Sequence, residues 1–386
     1  MGNELSQTKN KFKVLGKVTR IDKDGAYKED VKKGGKHDKK TFRSLRFGVK
    51  TSDNNEITVS MFSYEPEQVF LWNSDKAKKA KEAKKKYKGE RVDFDEWLEN
   101  KDKYREDGYA VLQSRIGLNF DEKGKVVSEG MPSYIAIDEL YDSLDNGDSV
   151  VIEGNISYSS YENQQGKVVE QKNFNIETLK RLKNDIDFED EKFEEVTYFE
   201  QEFVFVDAVE EKKENKVFVT GRHINYNKTF KDIEFVVDYS DGADGTDKSM
   251  VTLANAFLKK FKFGDLLSVF GDNLNRVVTL EVEDEVETEE DKLLASLGGK
   301  SKPKHAERWA QKDYINELQI HGLEAWDKAV YEEDDFKVDS LIEEEEEEKK
   351  EDFGGKQKKD TSPFDNDDDD DEFNEDDLPF WYKCKK

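Results

Sequence analysis

Three short blocks of residues occur twice in this chain in the same order, and this repeat restricts the possible folds more than any other feature. Each block is β-branched or alternates apolar and polar residues, which is typical of strands. The aligned pairs are residues 11–17 with 216–222, 41–49 with 229–237, and 147–154 with 264–271. The repeat predicts two copies of one β-rich unit, separated by loops of different length.

A helix-like stretch lies between the second and third blocks of each copy, at residues 135–144 and 253–261. A closing strand is predicted over residues 168–178 in the first copy and 276–282 in the second. The predicted order of three strands, a helix and two strands is that of the OB-fold, a five-stranded Greek-key barrel. An SH3-like or other small barrel is the alternative.

The fold class predicted from this order is mainly β, with two tandem OB-type five-stranded barrels. The first barrel carries a basic helical insertion, because alanine, lysine and glutamate dominate residues 76–88 and favour helix. Aromatic and leucine residues at helical spacing predict a partly helical linker after the second barrel. The predicted segments are 9–183 for the first barrel with the insertion at about 66–130, 197–285 for the second, 286–338 for the linker, and 339–386 for a disordered acidic tail.

Charge is distributed very unevenly along the chain, whose formal net charge is −27. Residues 339–382 hold 20 acidic and 5 basic side chains, whereas residues 9–50 hold 15 basic and 5 acidic ones. Blocks of like charge repel, so the acidic end is predicted to be a disordered interaction tail. The basic front end indicates contact with nucleic acid, and a merely solvated surface is the alternative reading.

Several classes of function find no support in the sequence. The single cysteine, Cys384, excludes an intramolecular disulfide and a cysteine-cluster zinc site. The four histidines show no ligand spacing and are expected at the surface, so neither a metal nor a cofactor is predicted. Phosphate-binding glycine motifs, HExxH and a glycine-flanked nucleophile are missing from the sequence. We therefore expect a cytoplasmic protein that is not an enzyme, without a membrane span.

Single-stranded nucleic acid is held by cations along its phosphates and by rings that stack on its bases, at ~1–3 kcal/mol per base. The second and third strands of an OB barrel, with their flanking loops, are the usual platform. Strand alternation predicts outward rings and cations there in the first copy, and a weaker set in the second. The predicted binding residues of the first copy are Lys13, Lys17, Lys32, Lys33, Lys36, Lys39, Lys40, Phe42, Arg46, Lys50, Phe62 and Tyr64. Those of the second copy are Arg222, Tyr226, Lys228 and Phe230.

An alternative applies to the rings of the first copy. Phe42 and Phe62 would also point outward if they packed beneath the insertion at 66–130. In that case they would belong to the core and would not bind a ligand.

The acidic tail ends in a recognisable motif. A run of aspartates at residues 367–371 is followed by Asp376, Asp377, Leu378, Pro379 and Phe380. This end resembles the acidic tip of bacterial and bacteriophage single-stranded DNA-binding proteins. The resemblance implies that the three apolar residues enter a pocket of a replication, recombination or repair protein, while the aspartates meet its basic rim. It also implies that the tail competes with DNA for the basic surface.

The sequence departs from that family in two respects. Six residues, Trp381 to Lys386, follow the phenylalanine that usually ends the chain. The usual bacterial protein also has one OB domain, so the larger phage-encoded proteins are the better comparison. The sequence as a whole predicts a protein that coats single-stranded DNA without sequence preference during phage replication or recombination. The alternatives are a single-stranded RNA-binding protein and an inhibitor whose acidic tail mimics DNA in a host enzyme.

Overall fold

The structure is a computed structural model that describes residues 4–35, 37–162, 168–240, 248–279 and 312–336. It is mainly β, and thirteen of its strands form one large mixed sheet. None of the α-helices in these ranges is long and apolar enough to cross a membrane. The expected disordered tail at 339–386 lies outside the described residues, as does the motif at its end.

The elements are numbered in chain order. Those of the first copy and its insertion are β1 (Asn10–Thr19), β2 (Tyr27–Val31), β3 (Thr41–Lys50), β4 (Glu56–Tyr64), β5 (Gln68–Asn73), α1 (Ser74–Glu82), β6 (Glu90–Asp93), α2 (Phe94–Glu106), β7 (Tyr109–Val111), β8 (Ser114–Phe120), β9 (Val126–Met131), α3 (Ser133–Ser143), β10 (Ser149–Glu162) and β11 (Val168–Arg181). Those of the second copy are β12 (Val196–Glu211), β13 (Lys216–Ile224), β14 (Phe230–Asp238), α4 (Lys248–Lys259), β15 (Leu266–Thr279) and β16 (Lys312–Asp327), followed by a 3₁₀ helix at Glu333–Phe336.

Strand pairing follows the same cycle in both copies. In the first copy β1 pairs antiparallel with β3 and β10, β3 with β4, and β10 with β11, while β11 returns parallel to β4. In the second copy β12 pairs with β13 and β15, β13 with β14, and β15 with β16, while β14 lies parallel to β16. The two cycles join where β1 pairs with β12, for example at Phe12 and Phe199.

Alternating strand residues build the core of each copy. In the first copy, Leu45 and Phe47 of β3 are buried against Val59 of β4. Ile137 and Leu140 of α3 are buried with them. In the second copy Phe203 and Phe235 stack with ring centroids 4.7 Å apart. Burying one face of each strand leaves the opposite face available to a ligand.

Two glycines mark the bends of the fourth strands. A Cβ atom at Gly154 of β10 would overlap the carbonyl oxygen of Asn175, and one at Gly271 of β15 would overlap that of Gln319. Pairing becomes irregular beside both glycines, between Glu153 and Gly154 and between Phe270 and Gly271. The third block of the sequence repeat therefore aligns equivalent positions.

The first two blocks of the repeat lie in strands that are not equivalent in the two copies. Residues 11–17 lie in β1, the first strand of its copy, whereas 216–222 lie in β13, the second strand. Residues 41–49 and 229–237 likewise lie in a second and a third strand, β3 and β14. The first strand of the second copy is β12, which carries many glutamates. Because all strands share the two-residue period, neighbouring strands are easily interchanged in such an alignment.

The region after residue 285 also differs from its prediction. The structure has β16 at Lys312–Asp327, where a partly helical linker was expected, and this strand completes the second copy. Leu318 and Ile320 are buried two residues apart, which is the period of a strand. The second copy thus extends beyond the predicted limit of 285, and residues 280–311 lie outside the described part of the chain.

The insertion in the first copy is only partly helical. The lysine-rich run begins in α1, and the Asn73 side chain accepts hydrogen bonds from the backbone of Asp75 and Lys76 at its start. β5, β6 and β7 form a separate three-stranded sheet. β8 pairs with β11 and β9, which attaches the insertion to the main sheet.

A buried polar cluster joins the two copies. His223, expected at the surface, is only 2% exposed, and its Nδ1 atom lies 2.6 Å from Thr8 Oγ1. Gln201 is also buried and accepts a hydrogen bond from the Tyr158 hydroxyl of the first copy at 3.0 Å. Burial lowers the pKa of the His223 imidazole to about 4, opposed by a hydrogen bond with Asn225.

Candidate nucleic-acid interface

Three rings of β3 and β4 lie together on the outer face of the first copy. Phe42 is paired with Tyr64 and Ser44 with Phe62, so the rings occupy adjacent rows of the same face. The Phe62 ring centroid lies 5.5 Å from that of Phe42 and 5.1 Å from that of Tyr64. Phe62 is 54% exposed, so the insertion does not bury it. The three predicted rings therefore form one cluster with an accessible member.

Two residues not predicted from the sequence complete this ring cluster. Lys28 of β2 holds its amine 5.3 Å from the centre of the Phe42 ring and pairs with Asp30 at 3.1 Å. His37, from the loop between β2 and β3, stacks on Tyr64 with centroids 4.3 Å apart. Both lie between the first two predicted strands, at 11–17 and 41–49, where the strand β2 was not predicted. The residues of β2 do not alternate between apolar and polar, so strand periodicity could not have predicted it.

Cations continue along the same face of β3 toward its end. Arg46 is exposed and lies opposite Ser60 of β4. Beyond it, Arg20 pairs with Glu56 and donates to Thr58 Oγ1 at 3.2 Å. The Arg20 and Glu56 side chains lie directly over Gly48, where a Cβ atom would overlap them and the Thr19 hydroxyl. The face thus passes from rings at one end of β3 to guanidinium groups at the other.

The opposite side of β3 fixes the hairpin that carries Lys28. Arg43 pairs with Glu29 of β2 at 2.7 Å and with Asp138 of α3 at 2.6 Å, and its guanidinium lies 3.9 Å from the centre of the Tyr134 ring. The Tyr27 hydroxyl donates to Asp138 at 3.0 Å. Burial, together with these carboxylates, raises the pKa of Tyr27 above its ordinary value. The β2–β3 hairpin is therefore fixed by contacts with α3 on the opposite side of the sheet, and these contacts need no ligand.

The lysines predicted for the first copy are dispersed around this face. Lys13 pairs with Glu153 at 3.0 Å and Lys50 with Asp53 at 3.0 Å. Lys40 pairs with Glu67 at 3.0 Å, which anchors the end of the loop between β2 and β3. The remaining loop lysines described by the structure are exposed, namely Lys32, Lys33 and Lys39. Lys36 lies outside the described residues.

Lys17 and Lys50 share one aromatic neighbour. They are direct partners in the pairing of β1 with β3. Their amines lie 5.4 and 5.7 Å from the centre of the Phe188 ring, which belongs to the segment between the two copies. This contact was not predicted, because Phe188 lies between the predicted limits of the two barrels, 9–183 and 197–285.

In the second copy the predicted residues contact other parts of the chain. Arg222 binds both carboxylate oxygens of Asp232, at 2.6 and 2.9 Å. Its guanidinium also lies 4.6 Å from the ring of Phe230 and 4.7 Å from that of Phe336. The 3₁₀ helix thus covers this group. Arg222 and Phe230 serve packing in the structure and are not assembled into an open face.

The other predicted residues of the second copy lie at its β13–β14 turn. Tyr226 is 65% exposed, and Lys228 pairs with Glu4 near the start of the chain. On the strands themselves, the exposed Glu234 lies opposite Thr220. The ring and cation arrangement of the first copy is therefore not repeated on the β13–β14 face. The tail residues Asp376, Asp377, Leu378, Pro379 and Phe380 lie outside the described part of the chain.

Comparison with known proteins gives a family and distant structural likenesses. A search of curated protein sequences finds no match. Among solved structures, a deletion mutant of the single-stranded DNA binding protein from Thermus aquaticus is 11% identical, with a TM-score of 0.32, covering 73% of this chain and 100% of that one. Neither the identity nor the TM-score is high enough to transfer a function.

The family model described as YorF matches residues 84–356, which is well over half of the 386 residues. The matched range begins after β4, so it excludes the strands that carry the ring cluster. It includes most of the insertion and the whole of the second copy. The chain belongs to the YorF family.

Proposed function

We propose that this protein binds single-stranded DNA without strong sequence preference, through the face of β3 and β4 in the first copy. The observation that carries the proposal is the contact between Phe42, Phe62 and Tyr64 on an outer strand face where Phe62 is 54% exposed. A nucleobase can stack on such an exposed ring, at about 1–3 kcal/mol per stacked base. Every base has such a π-face, so this mode of binding tolerates any sequence.

The charges around the rings favour the same ligand. Lys28 lies beside the Phe42 ring, and Arg46 is exposed further along the same face. Cations spaced between rings bind the phosphates on either side of a stacked base. The contact releases counterions from the nucleic acid, so the affinity should fall steeply as salt increases.

Each copy is, in this proposal, an OB-type barrel. Support comes from the closed cycle of strand pairing and from the helix between the third and fourth strands of each copy. β3 and β4 are the second and third strands of the first copy, which are the strands that bind oligonucleotides in OB-folds. The second copy serves as a structural and auxiliary unit, because its equivalent face carries Glu234 and Asp232 outward.

The acidic tail is proposed to recruit partners during replication or recombination. Asp376 and Asp377 would meet a basic rim, while Leu378, Pro379 and Phe380 would enter an apolar pocket. The protein is proposed to have no catalytic activity and no cofactor of its own.

The proposal is tested by fluorescence anisotropy with labelled oligo(dT), at about 50 mM salt and then at increasing salt. We expect saturable binding by the full chain and tighter binding by a chain that ends at residue 340, which lacks the acidic tail. Absence of binding by both chains would contradict the proposal and favour an inhibitor whose tail mimics DNA. Stronger competition by oligo(U) than by oligo(dT) would instead indicate an RNA-binding protein.

A further inference from the structure

The segment that joins the two copies places a ring between two lysines of the proposed DNA-binding face. The Phe188 ring is half-buried, with the amines of Lys17 and Lys50 at 5.4 and 5.7 Å from its centre. Lys50 lies on the same face of β3 as Phe42 and Arg46, because all three occupy even positions of the strand. The ring therefore lies at the end of the row of cations that begins beside the ring cluster.

This segment is attached to the first copy on both sides of Phe188. The backbone amide of Ile186 donates to Ser149 Oγ at 2.9 Å, and the Ile186 side chain is buried. At the other end, Glu195 accepts hydrogen bonds from Thr51 at 2.7 Å and Asn55 at 2.8 Å. Phe193 packs against Phe188 with ring centroids 5.3 Å apart. The position of Phe188 over the lysines is thus fixed by contacts on either side of it.

The charge of the segment is opposite to what a DNA-binding surface requires. Residues 185–195, here called the acidic linker, contain seven carboxylates and one lysine. The linker therefore adds net negative charge next to Lys17 and Lys50, and Lys50 in addition pairs with Asp53 at 3.0 Å. This charge disfavours a phosphate there. The Phe188 ring thus takes the place beside these lysines that a nucleobase could take.

We propose that the acidic linker is a built-in competitor that occupies Lys17 and Lys50 and keeps single-stranded DNA from reaching them. This inference rests on the proposed function, since it concerns how far the same binding face extends and how tightly it binds DNA. The linker is tethered at both ends, so its local concentration at the lysines is high and constant. DNA then binds to the ring cluster and Arg46, and the path beyond Arg46 opens only when the linker is displaced.

The test uses a linker variant of the full chain that combines Phe188→Ala with Glu189→Gln and Glu191→Gln. We expect tighter binding of oligo(dT), measured by anisotropy. The plot of log affinity against log salt should also steepen by about 1.4, because each of two newly available phosphate contacts adds about 0.7 for a single strand. A control variant with Glu106→Gln and Glu122→Gln changes the net charge at two exposed positions of the insertion. It should leave the salt slope unchanged.

A pair of lysine substitutions distinguishes displacement of the linker from Lys17 and Lys50 from a general effect of the changed net charge. Lys17→Gln with Lys50→Gln should change the affinity of the unmodified chain by less than about twofold, because the Phe188 ring already lies beside both amines and Asp53 pairs with Lys50. The same pair should abolish the gain in the linker variant. Equal losses in both backgrounds, or a linker variant with unchanged affinity and slope, would overturn the inference.

Two further outcomes are distinguishable. If the unmodified chain and the linker variant both fail to bind oligo(dT), the proposed function fails. If Phe188→Ala lowers the melting temperature enough to unfold the chain, Phe188→Leu keeps an apolar side chain against Phe193 while removing the ring. It should then give the same steeper salt slope, and an unchanged slope in this folded variant would again overturn the inference.

Discussion

The imidazole of His37 stacks on the ring of Tyr64, with centroids 4.3 Å apart and planes inclined by 26°. This contact ties the tip of the loop between β2 and β3 to the ring cluster. The lysines of that loop are therefore held next to the face that is proposed to bind DNA. The loop is closed at its other end by hydrogen bonds between the backbones of Lys32 and Lys40 and of Lys39 and Lys32.

Replacing His37 by alanine should release this loop. A stacked aromatic pair contributes about 0.5–1.5 kcal/mol, so the open form should become roughly 2–10-fold more populated. Cleavage by a lysine-specific protease between residues 32 and 40 should accelerate by the same factor in His37→Ala, whereas His37→Phe should behave like the unmodified chain. Equal cleavage rates in all three proteins would show that the stacking does not hold the loop.

Replacing Phe62 by alanine should weaken DNA binding without affecting folding. The loss of one stacked base costs about 1–3 kcal/mol, which is a decrease in affinity of roughly 5–150-fold. The melting temperature should hardly change, because Phe62 is 54% exposed. Val209→Ala removes another exposed apolar side chain, on β12, and is the control. A similar affinity for both variants would place the bases elsewhere.

Arg46 and Arg222 should respond differently to replacement by glutamine. Arg46 is exposed, so its loss should reduce the salt slope of oligo(dT) binding by about 0.7, the value of one phosphate contact on a single strand. Arg222 binds Asp232 through two hydrogen bonds and contacts two rings. Its replacement should lower the melting temperature and leave the salt slope unchanged. A reduced slope for Arg222→Gln would mean that the second copy contacts phosphates.

The two bend glycines should be equally intolerant of a side chain. Gly154→Ala and Gly271→Ala each bring a Cβ atom onto a carbonyl oxygen of the neighbouring strand. Relief of such overlap requires a backbone shift, so each should lower the free energy of unfolding by about 1–3 kcal/mol in urea titrations. A cost below about 0.5 kcal/mol, typical of a surface substitution, would contradict the close approach of the strands.

Acid should weaken the junction between the copies through His223. Its pKa is about 4 in the folded chain against an ordinary value of 6.5, so the unfolded chain binds more protons between these two pH values. The free energy of unfolding should fall by about 1.4 kcal/mol per pH unit from pH 6.5 toward pH 4, and no further below that. His223→Gln should lack this part of the pH dependence in urea titrations. An unchanged slope would show that His223 is not responsible.

The sequence predicted the ring cluster because strand alternation alone decides which side chains share a face. Phe42, Phe62 and Tyr64 needed no knowledge of the rest of the fold to be grouped. Gly154 and Gly271 were aligned for a similar reason, since each follows a Gly-Asp pair at the same distance. Local patterns of this kind survive in any tertiary arrangement that keeps the strands paired.

Other features depend on contacts between distant parts of the chain. Lys28 reaches the Phe42 ring because Arg43, Glu29 and Asp138 fix the β2 hairpin, and residues so far apart leave no local pattern. The strand β12 was not predicted, because its glutamates interrupt the pattern of apolar residues that indicates a strand. The sequence of β16 also fits a helix, because its large apolar residues match both the helical and the strand period over a short window. Phe188 was unpredictable as a neighbour of Lys17, since only folding brings the linker back onto β1.

The proposed contact of DNA with β3 and β4 can be tested at the level of single residues. Ultraviolet cross-linking of oligo(dT) to the full chain, followed by mass spectrometry of the peptides, measures this directly. We expect adducts on Phe42, Phe62 or Tyr64, and their disappearance at a salt concentration that abolishes binding. Adducts confined to β13 and β14, or adducts that persist unchanged when Phe42 and Phe62 are both replaced by alanine, would contradict the proposed contact.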